Sequence, residues 1–373
     1  MARFDRYVLS QLLVVFGFSA LVLVMIYWIN RAVVLFDQLI ADGQSAGVFL
    51  ELTLLSLPNI IRIVLPLSAF AASLYVTNRL TTDSELVVVQ ATGFSPWRLA
   101  RPYLVFGLFA AMLTLILTHV LVPASLRQLG LRQAEIAQTA TARLLREGQF
   151  LTPAAGIALY IRDVTPEGEL RDLFLTDSRS PGDMVTYTAA RAYLVRGATG
   201  PQLVMIDGLA QTLDRVQGRL LTTAFAEFAY DIGPLMPGIT PNRRASRELA
   251  TPDLLWPDAA ILAETGRSAP VLIAEGHDRF AQGVLATVGP LIGFAMLLVG
   301  GFSRFGVWRQ VVAAIFVIIG IKLIESVTTG MVRSDAERWP LSYLPVACGL
   351  AIAALLLHLA ARPRRLRWRR ALA

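Results

Sequence analysis

The stretch LSQLLVVFGFSALVLVMIYWI, Leu9 to Ile29, carries no charge. A bilayer core about 30 Å thick takes roughly 20 apolar residues in helical form, and this stretch meets that demand. Its apolar run exceeds the roughly 7–15 residues of a secretory leader, and no small-x-small cleavage site follows. It is therefore expected to stay in place as a spanning helix. Five further stretches qualify: Leu54 to Val76, Leu99 to Leu121, Phe280 to Phe302, Val311 to Met331 and Leu341 to Ala360. An even number of spans puts both termini on one side, and arginine bias identifies it. One side collects thirteen arginines, among them Arg3, Arg6, Arg79, Arg98, Arg101, Arg304, Arg309 and the tail; the short loops opposite hold Arg31, Arg333 and Arg338. Both termini are expected in the cytoplasm.

Composition agrees. Of 373 residues, 55% are hydrophobic and only 16% charged, with a mean hydropathy of +0.57. Soluble domains carry about 25% charged residues, so a cytosolic enzyme and a disordered chain are both excluded. The net charge of +7 falls to +1 without the six arginines between Arg362 and Arg370. The basicity thus belongs to a short tail, 362–373, beside an apolar segment, and not to a nucleic-acid-binding face. The single cysteine, Cys348, excludes internal disulfides and a cysteine-rich metal site, and His119, His277 and His358 are too scattered to form a metal cluster.

Between helices three and four lie residues 123–279, enough for a domain of their own. Ile157 to Val164, Leu170 to Thr176, Met184 to Val195, Gln202 to Ile206 and Leu220 to Tyr230 are β-branched or aromatic runs separated by turn residues, with Pro166-Glu-Gly-Glu169 reading as a hairpin turn. Short strands at this spacing predict an antiparallel sandwich or roll outside the cytoplasm. Ser125 to Arg146 reads as a helix continuing from the membrane, and Pro241 to Pro257 as a return segment.

Nothing in the chain looks catalytic. The one lysine, Lys322, lies between Ile321 and Leu323, so there is no Walker A loop, and neither H-E-x-x-H nor G-x-S-x-G occurs. The most specific local feature is the cytoplasmic connection Thr81 to Pro96. Thr82 and Glu85 have capping-box spacing, Gly93 suits a left-handed helix stop, and Ser95-Pro96 suits the start of another helix. A helix over 82–93, joined to two spans, is expected to be either an element on which an ATPase pushes or a plain interfacial turn.

Leu65-Pro-Leu-Ser68 and Ser84-Glu-Leu-Val-Val-Val-Gln-Ala-Thr-Gly-Phe-Ser95 resemble the signature of the LptF/LptG family of lipopolysaccharide-export permeases. The likeness continues through Arg146-Glu-Gly-Gln-Phe150, Leu159-Tyr-Ile-Arg162 and Glu275-Gly-His-Asp-Arg-Phe280. Asp42 to Gly47, Asn78-Arg79-Leu80 and the Glu-Gly-Gln-Phe strand resemble the LptF branch, whereas Asp5-Arg6-Tyr7 and Asp37-Gln38-Leu39 are also similar to the LptG branch. The resemblance implies a six-helix half of a heterodimeric ABC exporter in the bacterial inner membrane, with a periplasmic β-jellyroll. It implies an LptG-like permease, a separate LptB-like ATPase dimer and an LptC-like bitopic jellyroll protein as partners, with ATP and magnesium used by the ATPase and no cofactor on this chain. It further implies that Asp83, Ser84, Glu85, Leu86, Val89, Gln90, Gly93 and Phe94 couple to that ATPase, Glu85 presenting a carboxylate while Leu86 and Val89 supply an apolar face.

Charges in or near the spans are the remaining candidates. Arg31 ends helix one and Arg62 lies between Pro58 and Pro66. Either guanidinium suits a lipid phosphate or snorkels to headgroups. Ala32 to Leu35 is apolar where family members often carry further basic residues. Lys322 and Glu325 are spaced for a pair on one helix face. His119 and His358 are expected to be satisfied by neighbouring carbonyls, and Cys348 to pack as a small hydrophobe. Leu159 and Ile161, with Phe225 in Phe225 to Phe228, are candidates either to line a path for acyl chains or to fill a closed core, and an edge strand to dock the LptC-like partner. Three functions are therefore weighed: a lipid-transporting subunit, a transmitter of ATPase motion that moves no lipid, and an intramembrane enzyme using Lys322 and Glu325.

Overall fold

Each of the six apolar stretches, as far as it is described, lies in a helix long enough to cross a membrane in the computed structural model of the chain, which describes residues 3–41, 46–144, 148–165, 168–179, 183–197, 200–214, 217–232, 244–300 and 307–362. Residues 42–45, 146–147, 166–167, 241–243, Phe302, Arg304 and the tail beyond Arg362 lie outside the described residues. The chain divides into two compact units, 1–129 with 244–373, and 130–243.

In the first unit α1 (Arg3–Ala41) and α2 (Ala46–Thr82) form the first two spans, and the short α3 (Glu85–Ala91) follows. The third span comprises α4 (Pro96–Leu99), α5 (Arg101–Ile116), a π-turn over Leu117–Leu121 and α6 (Val122–Leu144), which runs on past the unit boundary. Two short helices, α7 (Thr251–Leu255) and α8 (Ala259–Thr265), precede the fourth span, α9 (Ala269–Leu285) with α10 (Val288–Gly300). Pro290 explains that break, since it cannot donate to the carbonyl of Ala286 and its ring crowds that turn. α11 (Trp308–Ser334) is the fifth span; a 3-10 segment, Ala336–Tyr343, leads into α12 (Leu344–Ala361) as the sixth.

Small residues let the central helices approach closely. Ser73 of α2 donates to the Pro290 carbonyl at 2.6 Å, and a Cβ on Gly293 would stand 3.0 Å from Ser73 Oγ. Tyr103 of α5 stacks on Phe294 of α10 at 4.2 Å between centroids, both fully buried. By contrast α1 and α11 bury only 11% and 17% of their apolar windows within this chain. Their outward Phe18, Leu21, Phe316 and Leu323 are left for lipid or another chain to cover.

The second unit is built on one six-stranded antiparallel sheet in which β1 (Phe150–Ala154), β2 (Ile157–Val164), β3 (Glu169–Asp177), β4 (Asp183–Gly197), β5 (Gly200–Asp214) and β6 (Arg219–Asp231) follow one another in space as in sequence. The antiparallel β class is as expected; β1 begins at Phe150, the last residue of the Glu-Gly-Gln-Phe stretch, and β5 runs well beyond the predicted Gln202 to Ile206. From β2 to β6 the register is constant on both sides of one row, Arg162, Asp172, Ala190, Asp207 and Ala226, which makes no ladder pairs. Asp172 and Asp207 have φ of 52° and 53°, a left-handed conformation that aspartate tolerates better than most residues. Across this row the buried side changes parity in β3 and β4: Leu170 and Leu173 are both buried, as are Ala189 and Ala192. Long strands are thereby creased into two layers. Flat, Tyr187 and Phe228 would lie about 16 Å apart along the strands; in the creased sheet their rings stack at 5.1 Å, and Tyr187 also meets Tyr230 at 5.4 Å. Between the layers lie Ile157, Ile161, Leu173, Leu175, Leu203 and Met205.

Candidate functional site

The connection between α2 and α5 is organised differently from the capping box read in the sequence. Thr82 ends α2, and its hydroxyl donates back to the Asn78 carbonyl at 3.0 Å, so it caps nothing beyond itself. The chain turns at Ser84, whose φ of 61° and amide bond to the Thr81 carbonyl (3.1 Å) set α3 off in a new direction. α3 therefore covers Glu85–Ala91 instead of 82–93, and Glu85, freed from capping, receives a hydrogen bond from the Tyr7 hydroxyl at 3.1 Å. The stop and restart are as read. Gly93 has φ +90°, and Ser95 Oγ accepts from the Arg98 amide ahead of Pro96. The Arg98 guanidinium lies 4.2 Å over the Phe94 ring, and Asp83 pairs with Arg79 at 3.5 Å.

The apolar face also differs. Leu86 is 5% exposed and joins the helical core, with Val89 and Phe94 packed against it. These side chains hold α3 to its own chain, while Val87 and Val88, 45% and 61% exposed, face outward beside exposed Gln90. Glu85 borders an open cavity of about 560 Å³ whose other wall is Arg3, Phe4 and Tyr7 of α1. The element thus presents an oriented carboxylate and two apolar side chains on a short helix fixed at both ends.

At the other end of the spans is a polar junction that motif reading missed. Arg279 of α9, 3% exposed, donates to Thr251 Oγ1 (3.1 Å) and to the carbonyls of Ser246 (3.5 Å) and Arg247 (3.2 Å). Glu275, one turn earlier, lies 3.6 Å from Arg247 and 4.0 Å from Arg333 of α11. His119, turned by the π-turn, approaches Thr251 with Nδ1 at 2.8 Å and rests on Phe280, in place of the carbonyl partner expected for it. His358 likewise meets Arg362 (3.3 Å) and not a carbonyl. The signal was available: Glu275, His277, Asp278 and Arg279 crowd the start of an apolar span, and ionisable residues within a spanning segment call for partners.

Arg62 belongs to the interior. It is 9% exposed and donates to Gln282 Oε1 at 3.1 Å, and Gln282 in turn donates to Asp278 at 2.6 Å. The expectation of an outward guanidinium for lipid phosphate fails there, because a partner on α9 claims it. Arg31 is exposed on α1. Lys322 and Glu325 form their pair at 2.7 Å. In the creased sheet Ile161 is fully buried, while Leu159 and Phe225 are half-buried against the same cluster. Among the described residues no group of histidine, cysteine or acidic side chains could hold a metal.

A family model described as "Lipopolysaccharide export system permease LptF/LptG" matches residues 6–359, through all six spans and the sheet. The chain belongs to the LptF/LptG family. Its relatives include an uncharacterized protein, RP871, of Rickettsia prowazekii, 23% identical over 93% of this chain and 95% of that protein. LptF of Escherichia coli K12, named a lipopolysaccharide export system permease protein, is 24% identical over 66% of each chain. Membership makes this a multi-pass permease subunit, a transport component and not a catalytic enzyme.

Proposed function

We propose that the chain is the LptF-like permease subunit of an ABC exporter that extracts lipopolysaccharide from the bacterial inner membrane and hands it to a periplasmic bridge. The observation that carries this reading is the single family match from residue 6 to 359, which includes α3 as well as the spans and the sheet. An LptG-like permease packs beside α1 and α11, which bury little of themselves within this chain, and the two subunits enclose the lipid between them. Both termini and α3 lie in the cytoplasm, supported by the arginine asymmetry. There an LptB-like ATPase dimer, which binds ATP and magnesium, takes Glu85, Asp83, Gln90 and the outward Val87 and Val88 into its surface. Closure of that dimer moves α3, and α2 and α5 move with it, since Leu86 and the helix-end bonds fix α3 to both. Arg31 meets lipid phosphate at the outer interface. Acyl chains then pass along the inter-layer face bearing Leu159 and Phe225, and an edge strand docks the LptC-like partner by backbone pairing.

The test is purification of the chain with its three partners in nanodiscs, followed by assay for bound lipopolysaccharide and for its ATP-dependent transfer. Copurified lipid that leaves on ATP hydrolysis is the expected result. A complex that hydrolyses ATP yet neither holds nor moves lipid would favour transmission of motion alone and overturn the transport reading.

A further inference from the structure

We infer that Tyr7 is a positioning residue for Glu85, holding the carboxylate in the orientation in which the ATPase meets it; this rests on the docking role proposed for α3. A glutamate at the start of a seven-residue helix has three side-chain torsions and no capping bond to fix them. Its neighbour Asp83 is drawn to Arg79 at 3.5 Å, away from this task. Glu85 is engaged by Tyr7, whose hydroxyl stands 3.1 Å from Oε1.

Tyr7 is well placed to act as a rigid strut. Val8 and Leu12, 1% and 0% exposed, anchor the same turns of α1 in the helical core. The Tyr7 ring is set against Phe4 at 6.5 Å, and a tyrosine has only two torsions to restrain. An ionised carboxylate has about four acceptor sites, so one bond from a phenol leaves room for a charged donor from the partner. The cavity of about 560 Å³ between the first turns of α1 and α3 keeps that side of Glu85 approachable. Because α1 is also a membrane span, a tilt of that span would be felt directly at the docking carboxylate.

The experiment is a double-mutant cycle in the complete complex in nanodiscs: wild type, Tyr7→Phe, Glu85→Gln and the pair, reading the Kd of the ATPase dimer for the permease and its ATP turnover when bound. Both substitutions preserve shape, and monodisperse elution of each permease checks folding. Tyr7→Phe is expected to weaken ATPase binding about three- to tenfold, Glu85→Gln at least as much, and the double variant no more than Glu85→Gln alone. A Tyr7→Phe complex that binds as wild type, while Glu85→Gln does not, overturns the positioning role alone. A full additional loss in the double variant also overturns it, since Tyr7 would then act by packing. A Glu85→Gln complex with unchanged affinity overturns the docking reading itself.

Discussion

Tyr230 on β6 donates its hydroxyl to Asp177 Oδ2 at 2.8 Å, although β4 and β5 separate their strands in the sheet. The contact crosses from one layer of the creased sheet to the other. Arg179 completes it, with a bidentate grip on the same carboxylate at 3.0 and 2.6 Å. That guanidinium, with the Tyr230 hydroxyl, holds Asp177 well below the usual carboxylate range, and burial followed by the acidic partner pushes the Tyr230 phenol up.

Asp177 is depressed in the folded state, so its stabilisation is complete above the ordinary carboxylate value near 3.9 and is lost only as pH falls through the depressed one. The protection factors of the β3 and β6 amides in the full chain, corrected for the intrinsic pH dependence of exchange, should accordingly stay unchanged from pH 7 to about 5. Asp177→Asn should cost about 1–2 kcal/mol, discounted for partial exposure, and speed that exchange at pH 7. Equal protection in the variant would show that the layers are held without this bond.

Gly208 faces the Thr188 carbonyl and the Phe225 ring so closely that a Cβ there would collide with both. The backbone of β4 cannot retreat as a flexible side chain can, so Gly208→Ala should cost about 1–3 kcal/mol. Proteolysis within 183–231 in the membrane-embedded protein should increase, while the spans remain intact. Wild-type resistance would contradict the close approach.

Arg279 satisfies three acceptors from a site with almost no water access. Arg279→Leu removes the donor that serves Thr251 and the carbonyls of Ser246 and Arg247, while Glu275 keeps Arg247 and Arg333, an expected loss of about 1–3 kcal/mol. The thermal midpoint of the purified permease should fall by several degrees, with Glu275→Gln falling less. Identical midpoints would mean that water already serves those groups.

At Ser84 the backbone lies in the left-handed region without a glycine, at an expected cost of about 1 kcal/mol. Ser84→Gly should keep ATPase retention and export at wild-type levels. Ser84→Pro, which can neither adopt φ 61° nor donate to Thr81, should abolish retention while leaving the protein in the membrane. Export by the proline variant would place the turn outside the coupling path.

The spans were legible because lipid imposes a length that few other structures require. The end of α3 was legible because Gly93 and Ser95-Pro96 are punctuation with one physical meaning each. Its beginning was not: threonines late in a helix bond to their own carbonyls four residues back, as Thr77, Thr81 and Thr82 do, and spacing cannot distinguish that from a cap. The surroundings of Arg62 are not legible for a different reason, its partner Gln282 being 220 residues away. The crease is not legible because its left-handed residues are aspartates, and strict alternation assumes that no strand changes face.

The crease gives the domain a mechanical character. Its two layers are halves of the same strands, joined along one spine of residues that already make no ladder pairs. Parting them leaves the inter-strand hydrogen bonds in place and bends the spine. What resists is the apolar filling between the layers together with a clasp of side chains, Tyr187 on Phe228 and Tyr230, with Tyr230 on Asp177. Such a body is stiff along its strands and compliant across its fold, so any guest inserted between the leaves would work against that filling and the clasp, and not against the sheet.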